Sequence, residues 1–370
     1  MPETKVLEPM FGLTSGVERF LALCSQNNTA LTYNDVLLVP QFSELNSRKD
    51  TSLSTSLFYR KLDNPIIAAN MDTICESRMA IAMRNNGGCG VIHRYMSNEQ
   101  QLTEVSLVNS HPEIKNVVAV AVGIAKADHN HIINLIEQGA NTLVIDVAHG
   151  HHIKVRDLIS WIRDQDFVAS DALPVEIVAG NVATSEGVKF LVEAGAHTVK
   201  IGIGPGSVCT TRTVTGHGVP QLYALAIAKE FHAMNRTDFK IIADGGINNS
   251  GDIVKALACG ADAVMVGRIL AGTEETPGLS FMYDHKSCKV YRGMASGPAQ
   301  DKFYGNGVKS PEGIAISVPY KGPVKGILKP LLEGIRSGLS YSGAVSIETL
   351  TDKADWLKIS EVGLKESLTQ

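Results

Sequence analysis

The chain has 370 residues, 44% hydrophobic and 19% charged, with a formal net charge of −4. This is the composition of a globular domain, and an acidic balance without a long Lys/Arg block excludes nonspecific binding to a nucleic-acid backbone. No apolar run is long enough to span a bilayer and there is no signal-peptide pattern, so the expectation is a cytoplasmic protein, its six scattered cysteines reduced thiols.

Residues 1–30 show no strong pattern and read as an N-terminal extension. From about residue 64 to about residue 271, short apolar runs alternate with amphipathic stretches. The runs are Pro65–Ala69, Gly90–His93, Val117–Val122, Thr142–Asp146, Val175–Ala179, Thr198–Ile201, Lys240–Ala243 and Ala263–Val266. Most are continuously apolar, as strands buried on both faces must be. Helices are expected over Ser77–Asn85, His129–Gln138, Ser185–Ala194, Gln221–Met234 and Ser250–Ala258. Alternating β and α with eight strands predicts an α/β fold, a (β/α)8 TIM barrel. A doubly wound open sheet competes, and strand count alone separates the two poorly. Residues 271–325 break the repeat, with a hairpin expected over Ser280–Tyr291 and an aperiodic loop over Gly293–Gly313 that has the character of a lid. A last helix is expected over Gly322–Ser337. The predicted organisation is one barrel domain, residues 31–365, carrying the hairpin and a mobile flap at about 280–313.

Polar and glycine-rich segments follow the predicted strands where a barrel builds its active site: Asn70-Met71-Asp72, Asp146 to Gly150, Gly180-Asn181, Asp244-Gly245-Gly246 and Gly267-Arg268. The most informative is Gly202-Ile-Gly-Pro-Gly-Ser-Val-Cys209-Thr-Thr211-Arg212, directly after His197-Thr-Val-Lys-Ile201. Closely spaced glycines free backbone amides to converge on an anion, Ser207 adds a hydroxyl, and Cys209 offers a sulfur nucleophile beside whatever is held. The plainer reading is a tight turn with Cys209 as a small buried hydrophobe. His149, His151, His152 and His217 read as solvent-facing or supporting groups, and Cys89 and Cys259 as packing residues.

The segments LTYNDVLLVP, AANMDT, IDVAHGH, AGNVAT, GIGPGSVCTTR, YRGM and PEG, with VPYKG after it, occur in the order found in the IMP dehydrogenase/GMP reductase family, which residues 31–365 resemble. The resemblance implies a TIM barrel, a homotetramer, and catalysis through a covalent purine–cysteine thioether. It implies that Cys209 attacks C2 of the purine, that Thr211 and Glu312 relay protons, and that Ser207, Gly246, Gly267 and Tyr291 surround the 5′-phosphate. By the same likeness Asp244 holds the ribose, Met294 and Glu312 contact the base, Met71 lies along the nucleotide, and Gly293 is a further substrate-binding residue. Asp146 and Asn181 fall on the nicotinamide side. The carbonyls of Gly204, Gly206 and Cys209 match a monovalent-cation (K+) site of the dehydrogenases.

Two departures bear on the branch. Met96-Ser-Asn-Glu-Gln100 leads by a short linker to Val117, without the regulatory nucleotide-binding module typical of dehydrogenases. Where dehydrogenases carry a water-activating Arg-Tyr pair on the flap, this chain has Lys302-Phe303. Lysine lacks the guanidinium fork and phenylalanine lacks the phenol. The expected activity is therefore NADPH-dependent GMP reduction to IMP and ammonia. IMP dehydrogenase using NAD is the alternative, to which Tyr291-Arg-Gly-Met294 and Thr273-Glu-Glu275 are closer, and a catalytically dead nucleotide-binding relative is disfavoured by the presence of Cys209 and Ser207. Arg268 departs from the small residue usual at its site, and either adds a phosphate contact or blocks one.

Overall fold

A computed structural model describes residues 15–112, 117–124, 129–165, 167, 173–305 and 310–367. Eight parallel strands close into a barrel: β1 (Ile66–Ala68), β2 (Cys89–Ile92), β3 (Ala119–Val122), β4 (Thr142–Asp146), β5 (Glu176–Val182), β6 (Thr198–Ile201), β7 (Lys240–Asp244) and β8 (Ala263–Val266). Each pairs with its neighbour in sequence, and β8 closes on β1 through Val264↔Ile66, Met265↔Ile67 and Val266↔Ala68. The TIM barrel is thus the architecture, and the open sheet is excluded by that closing pair.

The outer layer is α1 (Ser77–Asn85), α2 (Asn98–Asn109), α3 (His129–Glu137), α4 (Ile153–Asp164), α5 (Ser185–Ala194), α6 (Gln221–Asn235), α7 (Ser250–Ala258) and α8 (Val324–Tyr341). Their ends are chemically specified. Thr184 accepts from the Gly187 amide to start α5, which stops at Gly195 with φ 103°. Asn249 caps α7 by accepting from the Asp252 amide. In α4, Val155, Leu158, Ile159 and Ile162 form one buried stripe, each side chain contributing about 1.5–3 kcal/mol on burial.

Two barrel helices were not among the predicted ones. The linker before Val117 contains α2, started by a capping box between Ser97 and Gln100. Its apolar stripe is interrupted by Gln101, a buried glutamine whose amide donates to the carbonyls of His93 at 3.0 Å and Ala121 at 2.9 Å. Helix α4, in contrast, has an ordinary i, i+3, i+4, i+7 pattern that is readable in the sequence.

The insertion between β8 and α8 is a three-stranded antiparallel sheet of β9 (Phe281–Tyr283), β10 (Lys286–Arg292) and β11 (Ala315–Pro319). The hairpin turns at Asp284 and His285, both with positive φ. The segment read as an aperiodic loop holds a helix, Gly297–Tyr304, and residues 306–309 of the predicted flap lie outside the described residues. Of the N-terminal extension, residues 1–14 also lie outside them, and Gly16–Gln26 is a helix. That helix sets Phe20 edge-on to Trp356 at 5.1 Å, and the Trp356 indole donates to the Gly16 carbonyl at 2.8 Å.

Candidate active site

A cavity of about 270 Å³ opens at the carboxyl ends of the barrel strands. The residues assigned by resemblance to catalysis, substrate, cofactor and cation all line it: Met71 after β1, Asp146 on β4, Asn181 on β5, Gly204, Gly206, Ser207, Cys209 and Thr211 after β6, Asp244 and Gly246 at β7, Gly267 after β8, and Tyr291, Gly293, Met294 and Glu312 from the insertion. Residues separated by more than two hundred positions are therefore brought onto one wall.

The β6 loop turns sharply at Gly202, whose φ is +147° and where an added Cβ would lie 2.0 Å from the Asp244 carbonyl oxygen. Beyond it, the loop is pinned to the segment that carries Glu312. The Thr210 amide donates to the Glu312 carbonyl at 2.9 Å, and the Ile314 amide donates to that of Val208 at 3.0 Å. This backbone clamp sets three side chains in line. The Cys209 thiol donates to Thr211 Oγ1 at 3.1 Å, and that hydroxyl donates to Glu312 Oε2 at 2.8 Å. A half-buried sulfur thus stands one hydroxyl away from a carboxylate, the geometry of a nucleophile beside a proton relay.

At the opposite wall the barrel interior carries a charge. Lys200 on β6, its side chain 3% exposed, reaches Asp146 Oδ1 at 2.9 Å and Asp244 Oδ2 at 2.6 Å. Burial pushes the Asp146 carboxyl up, but Lys200 and Arg94, with hydrogen bonds from Lys200 and Asn70, outweigh it and hold Asp146 below the usual carboxylate range. Burial likewise disfavours the Lys200 ammonium, and the two aspartates reverse that, so it stays protonated. Asn181 donates to Asp244 Oδ2 at 2.9 Å and to the Gly202 carbonyl at 2.8 Å. Its own Oδ1 is buried and has no hydrogen-bond partner among the described residues. Lys200 was missed in the sequence reading, although a lysine inside the apolar run Thr198–Ile201 is itself a signal.

The insertion is tied over this mouth by Arg292, which grips buried Asp72 through Nε at 3.1 Å and through Nη2. The Asp72 amide donates to Met294 Sδ at 3.3 Å. From the flap helix, Lys302 Nζ lies 3.8 Å from Asp72 Oδ2, and the Phe303 ring sits 5.4 Å from that of Tyr95, which lines the cavity. At the far end Ser207 and Tyr291 line the cavity together. Burial raises the Tyr291 pKa, partly offset by Ser207 and by the charge of Arg268. The histidines of the β4 loop form a separate rim group, His149 and His151 with ring centroids 6.2 Å apart, and burial followed by the neighbouring histidines lowers the His149 pKa.

Residues 30–369 match the family model described as "IMP dehydrogenase / GMP reductase domain". The chain belongs to the IMP dehydrogenase/GMP reductase family. It is 37% identical to the inosine-5′-monophosphate dehydrogenase of Cryptosporidium parvum, over 91% of this chain and 94% of that protein. It is 31% identical to the GMP reductase of Leishmania donovani, over 91% of this chain and 96% of that protein. The crystal structure of a GMP reductase variant from Trypanosoma brucei in complex with guanosine 5′-monophosphate superposes with a TM-score of 0.85 at 31% identity, covering 92% of this chain and 98% of that one. Family membership makes the chain a member of a purine-nucleotide oxidoreductase family, and relatives of both activities stand at comparable identity. Among the described residues no helix is long and apolar enough to cross a membrane.

Proposed function

We propose that the protein is a GMP reductase, converting GMP and NADPH to IMP, ammonia and NADP+. In this reading the 5′-phosphate lies among Ser207, Tyr291 and the backbone at Gly246 and Gly267, and Asp244 takes the ribose. Met71, Gly293 and Met294 lie along the base. With the phosphate anchored, C2 is brought to Cys209, so that binding becomes proximity. The sulfur forms its bond to C2 as the bond to the exocyclic amine breaks. Thr211, bonded to Glu312 at 2.8 Å, passes a proton to the departing nitrogen, which leaves as ammonia. The reduced nicotinamide, when bound, supplies the hydride for C2. Cys209 then departs as a thiolate, and a proton taken from solvent through Thr211 restores Glu312, so that one proton is consumed for each ammonia released.

The cofactor side fits that role on one observation: Asn181 Oδ1 is a buried acceptor in want of a donor, and a carboxamide N–H would satisfy it. Asp146 would take the adjoining ribose hydroxyls. The carbonyls of Gly204, Gly206 and Cys209 would hold a monovalent cation, that of Gly206 also accepting the Cys209 amide at 3.1 Å, and no step is routed through K+. The reading extends to a cytoplasmic homotetramer. The exposed apolar side chains of Leu279, Met282 and Tyr283 support association, which sedimentation velocity would test.

The observation that carries the direction of the reaction is the flap helix. Lys302 points to Asp72 and Phe303 packs near Tyr95, so the two positions matched to the dehydrogenases' Arg-Tyr pair carry neither a guanidinium fork nor a phenol. The second reading, an IMP dehydrogenase using NAD, is favoured by YRGM, which stands here as the Arg292 clamp on Asp72. Absorbance at the reduced-nicotinamide band separates them. Loss of signal that requires GMP and releases ammonia supports the reductase, whereas a rise that requires IMP overturns it in favour of the dehydrogenase.

A further inference from the structure

The phosphate end of the cavity is built from neutral donors. Ser207 and Tyr291 contribute hydroxyls, and the backbone at Gly246 and Gly267 contributes amides. An added Cβ at Gly267 would lie 3.1 Å from both Met71 Sδ and the Tyr291 hydroxyl oxygen, so the backbone there runs flush with the wall. The next residue is Arg268, exposed and lining the same cavity. Among the described residues no side chain pairs its guanidinium, and its backbone carbonyl accepts from Lys321 Nζ at 3.3 Å. Lys321 also donates to the Ile269 carbonyl at 3.0 Å. Two cations therefore stand together at this end with no carboxylate bridging them. A solvated surface arginine needs no partner, but one placed on the rim of an anion cradle, beside a second fixed cation, raises the local potential where the ligand's charge would lie.

We propose that Arg268 is a specificity-determining residue that reads the charge of the ligand's phosphate, favouring a phosphomonoester dianion over a monoanionic phosphodiester or an uncharged nucleoside. The inference rests on the reading that a purine 5′-nucleotide binds with its phosphate at this end. Neutral hydroxyls and amides recognise phosphate oxygens but discriminate weakly between one charge and two. A guanidinium adds a charge-assisted, potentially bidentate contact whose strength follows the charge. Lysine supplies the charge without the planar fork, so it should restore only part of the effect.

Isothermal titration of the full chain with GMP, the 5′-phosphate methyl ester of GMP, and guanosine tests this in wild type, Arg268→Ser and Arg268→Lys. The expected result is a roughly tenfold to hundredfold loss of GMP affinity in Arg268→Ser, a small change for the methyl ester, none for guanosine, and a shallower salt dependence. Arg268→Lys should fall between. Wild-type GMP affinity in Arg268→Ser, or tighter binding, would overturn the proposal while leaving the nucleotide reading intact, tighter binding meaning that the side chain obstructs the cradle. Equal binding of guanosine and GMP by the wild type would overturn the nucleotide reading itself. Thermal melts of both variants confirm folding.

Discussion

Replacing Lys200 by methionine removes one ammonium while keeping an unbranched side chain of similar length, and it leaves Asp146 and Asp244 facing each other inside the barrel. The wild-type ammonium makes contacts of 2.9 and 2.6 Å and its side chain is 3% exposed. Breaking such a buried pair from one side costs about 3–5 kcal/mol, because the charge left behind has neither water nor partner. The cost depends on pH. In the wild type Asp146 is held below its ordinary carboxyl range, burial notwithstanding, largely by Lys200. A depressed carboxylate contributes stability above its unfolded pKa of about 3.9 and loses it as pH falls through the folded value. In Lys200→Met that contribution is absent, so the variant should be most deficient near neutrality, and the gap should narrow on acidification. Urea unfolding followed by fluorescence and circular dichroism, at about pH 7.5 and again below the unfolded carboxyl pKa of about 3.9, checks both statements. A loss below about 1 kcal/mol, or a gap independent of pH, would refute the view that this triad is an electrostatic unit.

Cys209→Ala should abolish turnover while GMP still binds, read by titration calorimetry; residual turnover at the wild-type rate would remove the thioether. Thr211→Val should slow ammonia release by roughly 10²–10⁴-fold, and adding Glu312→Gln should cost little more, since the two act as one relay. Independent, multiplying losses in rapid-quench measurements would break that linkage. Lys302→Arg with Phe303→Tyr should let a detectable fraction of the covalent intermediate hydrolyse to xanthosine monophosphate, measured by chromatography, and its complete absence would show that flap length matters as well as side-chain chemistry.

The barrel was legible because its strands are buried on both faces. Thr142–Asp146, Thr198–Ile201 and Ala263–Val266 fall where the apolar runs place them, since nothing but a run of this kind can fill a closed barrel. Helix α2 was not legible, because the buried Gln101 satisfies two carbonyls at a position where a periodicity search expects an apolar residue. The flap helix Gly297–Tyr304 is eight residues long and carries Pro298 in its first turn, too short a span for an apolar periodicity to mark. In the site, Cys209 and Ser207 announce themselves in a glycine-rich loop. Glu312 does not: it lies 101 positions from Thr211, and only the fold brings its carboxylate to the hydroxyl.

The covalent intermediate in the proposed reaction has two chemically accessible fates, attack by water or by hydride, and the flap decides between them. The Lys302–Asp72 contact is long at 3.8 Å, with the lysine side chain 59% exposed, and an ion pair of that exposure holds little, about 0–1 kcal/mol. Asp72 is moreover already paired with Arg292, so Lys302 competes for a carboxylate whose charge is taken. The Lys302–Asp72 pair therefore contributes little to holding the flap helix in place. Phe303, by contrast, adds apolar surface beside Tyr95 at the cavity wall, and apolar surface displaces water without activating it. An enzyme that must hydrolyse its intermediate needs a polar group at that wall. One that must protect the intermediate until hydride arrives is better served by a ring, and a ring is what this chain has.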